Sequence, residues 1–186
     1  MTNEAIPYDL LHLLEGEVII QGMTWDELGK AYEDHYGEER PSTRVHPNRL
    51  KGRDGQPRRL WWYPIWNYYV MTIDGAPVSW RGYKVEMFET GHNKNRWDTY
   101  MTVGDTYTVP AYRNKGFAKC VKAYHRKIMN LKEVMGTLST NKWYLRSLKK
   151  DGFDLNPVPP GHGRYWEFMR YYTDVRNGTW GIRHLK

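Results

Sequence analysis

One stretch of the sequence has residue types that suit the binding of a diphosphate. It reads Thr-Val-Pro-Ala-Tyr-Arg-Asn-Lys-Gly-Phe-Ala over residues 108–118, which predicts a strand end, a tight turn and the start of a basic helix. Gly116 permits a ligand to approach the backbone closely, and the N–H groups of residues 114–118 would point outward at the helix N-terminus. The helix dipole, Arg113 and Lys115 would add positive charge there. The alternative is an ordinary surface turn followed by an amphipathic helix.

The other reactive side chains show no recognisable site pattern. His92, His125 and His162 lack the paired spacing of metal ligands, so no metal site is expected. The single cysteine, Cys120, falls within a predicted helix, and we expect it to be packed rather than nucleophilic. One cysteine cannot form an internal disulfide, which fits a reducing cytoplasm.

The elements that would position the diphosphate stretch follow from periodicity and turn signals. A capping box formed by Thr24 and Glu27 predicts a helix that runs to about Tyr36. Aromatic and β-branched residues over 60–73 and alternation over 78–88 predict an antiparallel hairpin. The further predicted elements are a strand over 100–109 that bends at Gly104, a helix over 116–131, a strand over 133–140, a helix over 141–150 and a strand over 165–172.

This order of elements predicts the fold class and the organisation of the chain. We expect an α/β or α+β fold with a mixed, mostly antiparallel sheet and helices on both faces. A length of 186 residues fits a single domain. Within it we distinguish N-terminal helices over 1–37, a basic loop over 38–59, a core over 60–172 and a tail over 173–186, for which no element is predicted. No apolar segment is long enough to span a membrane, and no signal peptide is evident, so a cytoplasmic protein is expected.

The charge is unevenly distributed along the chain. The formal net charge is +7, with a balance of −9 over residues 1–39, +6 over residues 40–59 and +10 over residues 60–186. A basic body attracts phosphorylated cofactors, acidic proteins or nucleic acid, and the charge alone does not distinguish among them.

Two linked motifs resemble those of the GNAT superfamily of acyl-CoA N-acyltransferases. Arg113, Gly116 and Ala118 fill the Arg-x-x-Gly-x-Ala pattern of the family's pyrophosphate loop, and Pro110 provides the usual lead-in. The family's next motif, a strand, an Asn and a helix that ends in Gly-Phe, is similar to residues 138–153. The resemblance covers residues 60–172 in element order, whereas the first sixty residues match only loosely.

The resemblance implies that acetyl-CoA or a related acyl-CoA is the co-substrate and that an amine is the acceptor. Backbone groups of Thr108 and Val109 would pair with the pantetheine amides, and a strand N–H near Val109 would stabilise the developing oxyanion. Asn141 would hydrogen-bond the pantetheine arm. The pyrophosphate would be held at the loop by Arg113, Asn114, Lys115, Gly116, Phe117 and Ala118.

The resemblance also suggests the acid and the base of a direct transfer, in which a base deprotonates the amine and an acid protonates the departing thiolate. Glu86, Asp98 and Asp105 lie on or beside the central strands, where family members often keep a carboxylate, and Asp105 is our first choice for the base and Glu86 the second. Many family members place a phenol four residues before the Gly of Gly-Phe, but this sequence has Leu148 there. Tyr144, one turn earlier, is the candidate acid, with packing as the alternative.

Two classes of function therefore remain open. The first is a soluble N-acetyltransferase that acts on a small molecule, a protein or a nucleic acid. The alternative is a catalytically degenerate GNAT fold that binds nucleic acid or a protein, which the leucine at position 148 favours. The identity of the acceptor and the oligomeric state do not follow from the sequence.

Overall fold

A computed structural model of the chain describes residues 16–41, 66–89, 97–137, 142–157 and 178–185. Asn141, most of the basic loop and the strand predicted over 165–172 lie outside the described residues. In chain order the described elements are β1 (Val18–Thr24), α1 (Trp25–Tyr36), β2 (Asn67–Ile73), β3 (Ala76–Glu89), β4 (Trp97–Thr108), α2 (Phe117–Met129), β5 (Lys132–Thr137), α3 (Lys142–Lys150), β6 (Asp154–Leu155) and β7 (Thr179–Arg183). None of the described helices is long and apolar enough to cross a membrane.

The chain divides into two compact units. One comprises the described residues up to Lys84 together with Asp105–Met129, and the other comprises Val85–Gly104 together with the described residues from Asn130 onward. Strands β3 and β4 each contribute residues to both units. The organisation as a single domain stays a prediction.

The described strands form one sheet in the order β1-β2-β3-β4-β5-β7-β6. The pairs β1–β2, β2–β3, β5–β7 and β6–β7 are antiparallel. Strands β4 and β5 are parallel and pair over Tyr100–Thr102 and Lys132–Val134. The prediction of a mixed, mostly antiparallel sheet with helices is confirmed. Strand β7 was not predicted, and it buries Trp180 and Ile182 from the tail.

In the first unit, helices cover both faces of β2. Tyr68 and Val70 belong to a buried cluster that includes Leu28 and Tyr32 of α1. Met71 belongs to a second cluster, which includes Phe117, Cys120 and Val121 of α2. Because successive side chains of a strand point to opposite faces, α1 and α2 pack on opposite sides of the sheet.

Local sequence signals explain where these elements start and turn. The capping box of α1 is present, because Thr24 and Glu27 each accept from the other's backbone N–H, and Gly37 ends the helix with a φ of 71°. Asp74 and Gly75 have φ values of 49° and 80°. Two consecutive positive φ values are typical of the two-residue turn that best fits the twist of a hairpin, so the predicted hairpin is confirmed.

Candidate functional site

The turn between β4 and α2 is shaped by two residues in the left-handed conformation. Asn114 has a φ of 63° and Gly116 has a φ of 83°. Glycine adopts this conformation without steric cost, and asparagine tolerates it better than most residues. A single 3₁₀ turn over Pro110–Tyr112 precedes them. The local sequence therefore sets the sharp change of direction from strand to helix.

The start of α2 presents a row of free backbone donors. The N–H groups of Lys119 and Cys120 donate to the carbonyl of Gly116 at 2.9 and 3.1 Å. The N–H groups of residues 114–118 have no backbone acceptor within the described part of the chain. Consecutive free amides at the positive end of a helix dipole form a binding site for phosphate groups.

Two cations flank this row of amides, and their positions are fixed by neighbouring groups. The Nε of Arg113 donates to the carbonyl of Thr108 at 3.0 Å, and its guanidinium lies 5.4 Å from the ring centre of Tyr107. The Nζ of Lys115 lies 5.5 Å from the ring centre of Tyr112. Arg113 and Lys115 are both exposed. Their charge is accessible to an anionic ligand in solution.

Within the described residues, the end of β4 is hydrogen-bonded to β3 on one side. The N–H of Val109 donates to the carbonyl of Val78 at 2.9 Å, and the carbonyl of Tyr107 accepts from the Ser79 hydroxyl at 3.2 Å. Because backbone groups alternate along a strand, the N–H of Thr108 points to the side opposite β3. The expected role in oxyanion stabilisation therefore does not suit the N–H of Val109 itself. The N–H of Thr108 is the better candidate.

Asp105 lies in a buried cluster of polar and aromatic side chains within the first unit. Its Oδ2 accepts from the Tyr68 hydroxyl at 2.9 Å and pairs with Nη1 of Arg40 at 3.4 Å. The Nη2 of Arg40 also reaches the Tyr68 oxygen at 3.3 Å, and the guanidinium lies 4.0 Å from the ring centre of Trp25. Among the described residues, the Tyr68 hydroxyl and the Arg40 guanidinium thus hold the carboxylate in place.

The backbone at Asp105 is bent, with a φ of 48°. The predicted bend at Gly104 thus occurs one residue later, at a side chain for which this conformation is strained. Burial, reinforced by the negative charge of Asp105, raises the pKa of Tyr68 above its ordinary value, so its hydroxyl remains a donor. Arg40 and Tyr68 were not predicted as site residues, because nothing in their spacing links them to Asp105.

The other candidate acid and base residues belong to the second unit. Glu86 is partly buried and accepts from the Thr102 hydroxyl at 2.8 Å. Asp98 pairs with Lys132 at 3.0 Å, which makes it a partly exposed ion pair. The side chain of Tyr144 is exposed on α3.

The end of α3 explains the Gly-Phe pair of the second motif. Gly152 has a φ of 86°. Its N–H donates to the carbonyl of Lys149, and the N–H of Phe153 donates to the carbonyl of Leu148, both at 3.0 Å. This pair of hydrogen bonds defines a Schellman motif, in which glycine supplies the residue with left-handed conformation. Leu148 and Phe153 are both buried, so position 148 contributes to the core of the unit.

The described residues contain no group of three His, Cys, Asp or Glu side chains that could hold a metal ion. Cys120 is buried on α2, and its burial raises the pKa of the thiol. His125 is fully buried, and its ring centre lies 4.8 Å from that of Tyr69 and 4.5 Å from that of Tyr83. These side chains form part of the packed interior.

No protein-family model matches the sequence, and no curated protein sequence matches it. Solved structures do match. NAA60 of Arabidopsis thaliana, in complex with a bisubstrate analogue, has a TM-score of 0.50 at 11% identity, over 91% of this chain and 100% of that chain. N-acetylglutamate synthase from Neisseria gonorrhoeae, complexed with coenzyme A and N-acetyl-glutamate, has a TM-score of 0.50 at 14% identity, over 93% of this chain. The match spans only 36% of the synthase chain.

The chain thus has a GNAT-like fold, as the two sequence motifs predicted. At this low identity, the likeness shows the fold and leaves activity to be argued from the residues of this chain.

Proposed function

We propose that this protein is an N-acetyltransferase that moves the acetyl group of acetyl-CoA directly to an amine. The observation that supports it most strongly is the turn between β4 and α2, where the N–H groups of residues 114–118 lack backbone acceptors within the described residues. The GNAT-like fold and the names of the two solved neighbours support the same reaction class.

The cofactor would be held mainly through its phosphates. The amides of Asn114, Lys115, Gly116, Phe117 and Ala118 would donate to the pyrophosphate oxygens, and the Arg113 and Lys115 cations would add charge. The backbone of Thr108, on the side away from β3, would pair with the pantetheine arm. The side chain of Val109 would pack against that arm. The hydrogen bond between Asn141 and the arm stays a prediction.

The transfer requires a base for the acceptor amine. We assign this role to Asp105, acting directly or through one water, because Arg40 and Tyr68 fix the position of its carboxylate. After the amine loses a proton, its nitrogen attacks the thioester carbon and forms the C–N bond. Donation from the N–H of Thr108 would stabilise the oxyanion before the C–S bond breaks. Glu86, which is bonded to Thr102, is the alternative base.

The departing thiolate requires a proton, and this chain lacks the phenol that many GNAT proteins use. Leu148 is buried at that position. We assign the role to Tyr144, whose exposed hydroxyl is one helical turn earlier on α3, acting through water. The acceptor, as an ammonium, gives its first proton to the base before the attack, and the nitrogen of the tetrahedral intermediate then loses a second proton. The thiolate takes up one proton, so the products are an amide, free CoA and one proton released to solvent.

A thiol-release assay with acetyl-CoA and a panel of amines tests the proposal. Asp105→Asn is expected to lower kcat by about a hundredfold, the lower end of the range for general base catalysis, with a smaller change in KM for acetyl-CoA. Because this change alters a buried ion pair, the melting temperature of each variant must be measured alongside. Arg40→Lys is the matched variant that perturbs the cluster but keeps the carboxylate. An equal loss in both variants would make Asp105 structural rather than catalytic.

A second candidate function is a degenerate GNAT fold that binds nucleic acid or protein. The buried Leu148 at the usual phenol position favours it. Absence of thiol release with every amine, together with tight CoA binding, would support this second candidate.

A further inference from the structure

The helix α3 has an exposed surface that the proposed acetyl transfer does not use. Five of its nine residues form this surface, which we name the α3 basic face: Lys142, Trp143, Arg146, Lys149 and Lys150. All five are exposed, and Trp143 is 79% exposed, although tryptophan is usually largely buried.

Helix geometry places these five side chains on the same side of α3. At 100° per residue they fall within an arc of about 120°, and Trp143 lies at one edge of this arc, next to Lys150. Leu145 and Leu148 lie outside this arc, and Leu148 is buried. The two leucines thus lie on a different side of the helix from the cations, while the exposed indole borders the cationic arc.

The cations of the α3 basic face have no acidic partner among the residues that the structure describes. The helix sequence Lys-Trp-Tyr-Leu-Arg-Ser-Leu-Lys-Lys contains no acid. Within the described residues, none of its four cations forms an ion pair. The four therefore present a formal charge of +4 over a helical length of about 12 Å. A ligand with several negative charges at a spacing of a few ångströms complements such a surface.

We propose that the α3 basic face binds single-stranded nucleic acid. Trp143 would stack on an unpaired base, while the four cations contact the phosphates on either side of it. An exposed indole beside several cations is a combination that single-strand binding uses, since every base offers a π-face and every nucleotide a charge. In a duplex the bases are already stacked on one another and are not available to Trp143.

An anionic membrane is the less suitable partner for this face. Helices that lie on membranes insert a broad apolar face, with cations at its margins. Here Trp143 is the single large apolar side chain of the α3 basic face, and the other four residues of that face are cations. The proposal does not depend on the acetyl transfer reaction.

The experiment is a fluorescence anisotropy titration of labelled oligo(dT) and oligo(rU) of about twelve nucleotides at several salt concentrations. With three to four phosphate contacts, log Kobs is expected to fall with log[salt] with a slope of about −2 to −3. Lys149→Glu combined with Lys150→Glu is expected to weaken binding by at least about tenfold and to reduce that slope by about 1.4.

Stacking is tested separately from charge. Trp143→Ala is expected to weaken binding by about fivefold to a hundredfold without a change in the salt slope. Trp143→Phe is expected to keep most of the wild-type affinity, because its ring can still stack on a base. The matched control is Lys30→Glu with Lys127→Glu, which alters two exposed cations on α1 and α2. This control is expected to bind within about twofold of wild type. Circular dichroism confirms that each variant is folded.

Four results would overturn the proposal. They are no binding to either oligonucleotide, equal weakening by the control variant, equal affinity for a duplex of the same length, and binding to vesicles of anionic lipid that depends on Trp143 while oligonucleotide binding does not. Oligonucleotide displacement by saturating CoA would also overturn it, because the face would then belong to the cofactor site. Calorimetric CoA titrations of the same variants keep this question separate from the proposed enzyme activity.

Discussion

The helices α2 and α3 both carry a motif that resembles the GNAT pattern, yet their structures differ in what they leave exposed. The turn before α2 matches the pattern at Arg113, Gly116 and Ala118, and exposes backbone amides. Helix α3 matches at Gly152 and Phe153, which form its Schellman end. At the position that many GNAT proteins fill with a phenol, however, α3 buries Leu148 and exposes a basic, aromatic surface instead.

This difference separates two kinds of information in the motifs. Glycines at positive φ determine the backbone geometry of each motif, with Gly116 directly before α2 and Gly152 shortly after α3. Catalytic function needs a specific side chain as well, and only the α2 region has the residues that its proposed role requires. The assignment of cofactor binding to the turn before α2 therefore has a stronger physical basis than the assignment of proton donation to α3.

The largest expected effect is on CoA binding after substitution in the α2 turn. Gly116→Glu adds a negative charge and a strained residue where the amides would hold the pyrophosphate, so affinity is expected to fall by about a hundredfold or more. Gly116→Asn is the matched control, because asparagine tolerates positive φ and adds no charge, and it is expected to lose much less. Calorimetry measures both. Unchanged affinity in Gly116→Glu would remove the phosphate site from this turn.

The second prediction concerns the missing phenol of α3. Leu148→Tyr introduces a larger side chain at a buried position, so the free energy of unfolding is expected to fall by about 1–3 kcal/mol, with no gain in kcat. Denaturant unfolding and the thiol-release assay measure the two quantities. A rise in kcat of tenfold would show that position 148 serves the leaving thiolate, and the contrast between the helices would then be wrong.

The third prediction compares the buried side of α2 with the exposed side of α3. Because burial raises the pKa of Cys120, its reaction with iodoacetamide near pH 8 is expected to be at least about tenfold slower than in the unfolded chain. The reaction is slower because the thiolate is the nucleophile, and a raised pKa leaves a smaller fraction of the thiol in the thiolate form at a given pH. In a Cys120→Ser background, Ser147→Cys on α3 is expected to react as fast as a free thiol. Equal rates at the two positions would contradict the assigned faces.

Much of the fold followed from local sequence signals. The capping box of Thr24 and Glu27, the Asp74-Gly75 turn and the helix stops at Gly37 and Gly152 each depend on the conformation of a few adjacent residues. Strand β7 could not be predicted in this way, because its pairing with β5 joins residues far apart in sequence and Gly181 interrupts its alternation. The Cβ of a larger residue at Gly181 would lie 2.9 Å from Leu155, which explains the glycine.

The candidate site was predictable to the extent that it is local. The turn over residues 113–118 is a contiguous motif, and its geometry suits the predicted role. The cluster around Asp105 is not local, since Arg40 and Tyr68 lie 65 and 37 residues away from it in sequence. Only the folded chain brings these three side chains together.

The central claim is that the turn between β4 and α2 holds acyl-CoA, and a calorimetric titration with acetyl-CoA and with free CoA tests it most directly. We expect micromolar binding that Arg113→Ala weakens by about tenfold, the equivalent of one charge-assisted contact, while Lys127→Ala at the far end of α2 leaves it unchanged. Absence of binding in a folded protein, or equal binding by Arg113→Ala, would contradict the claim.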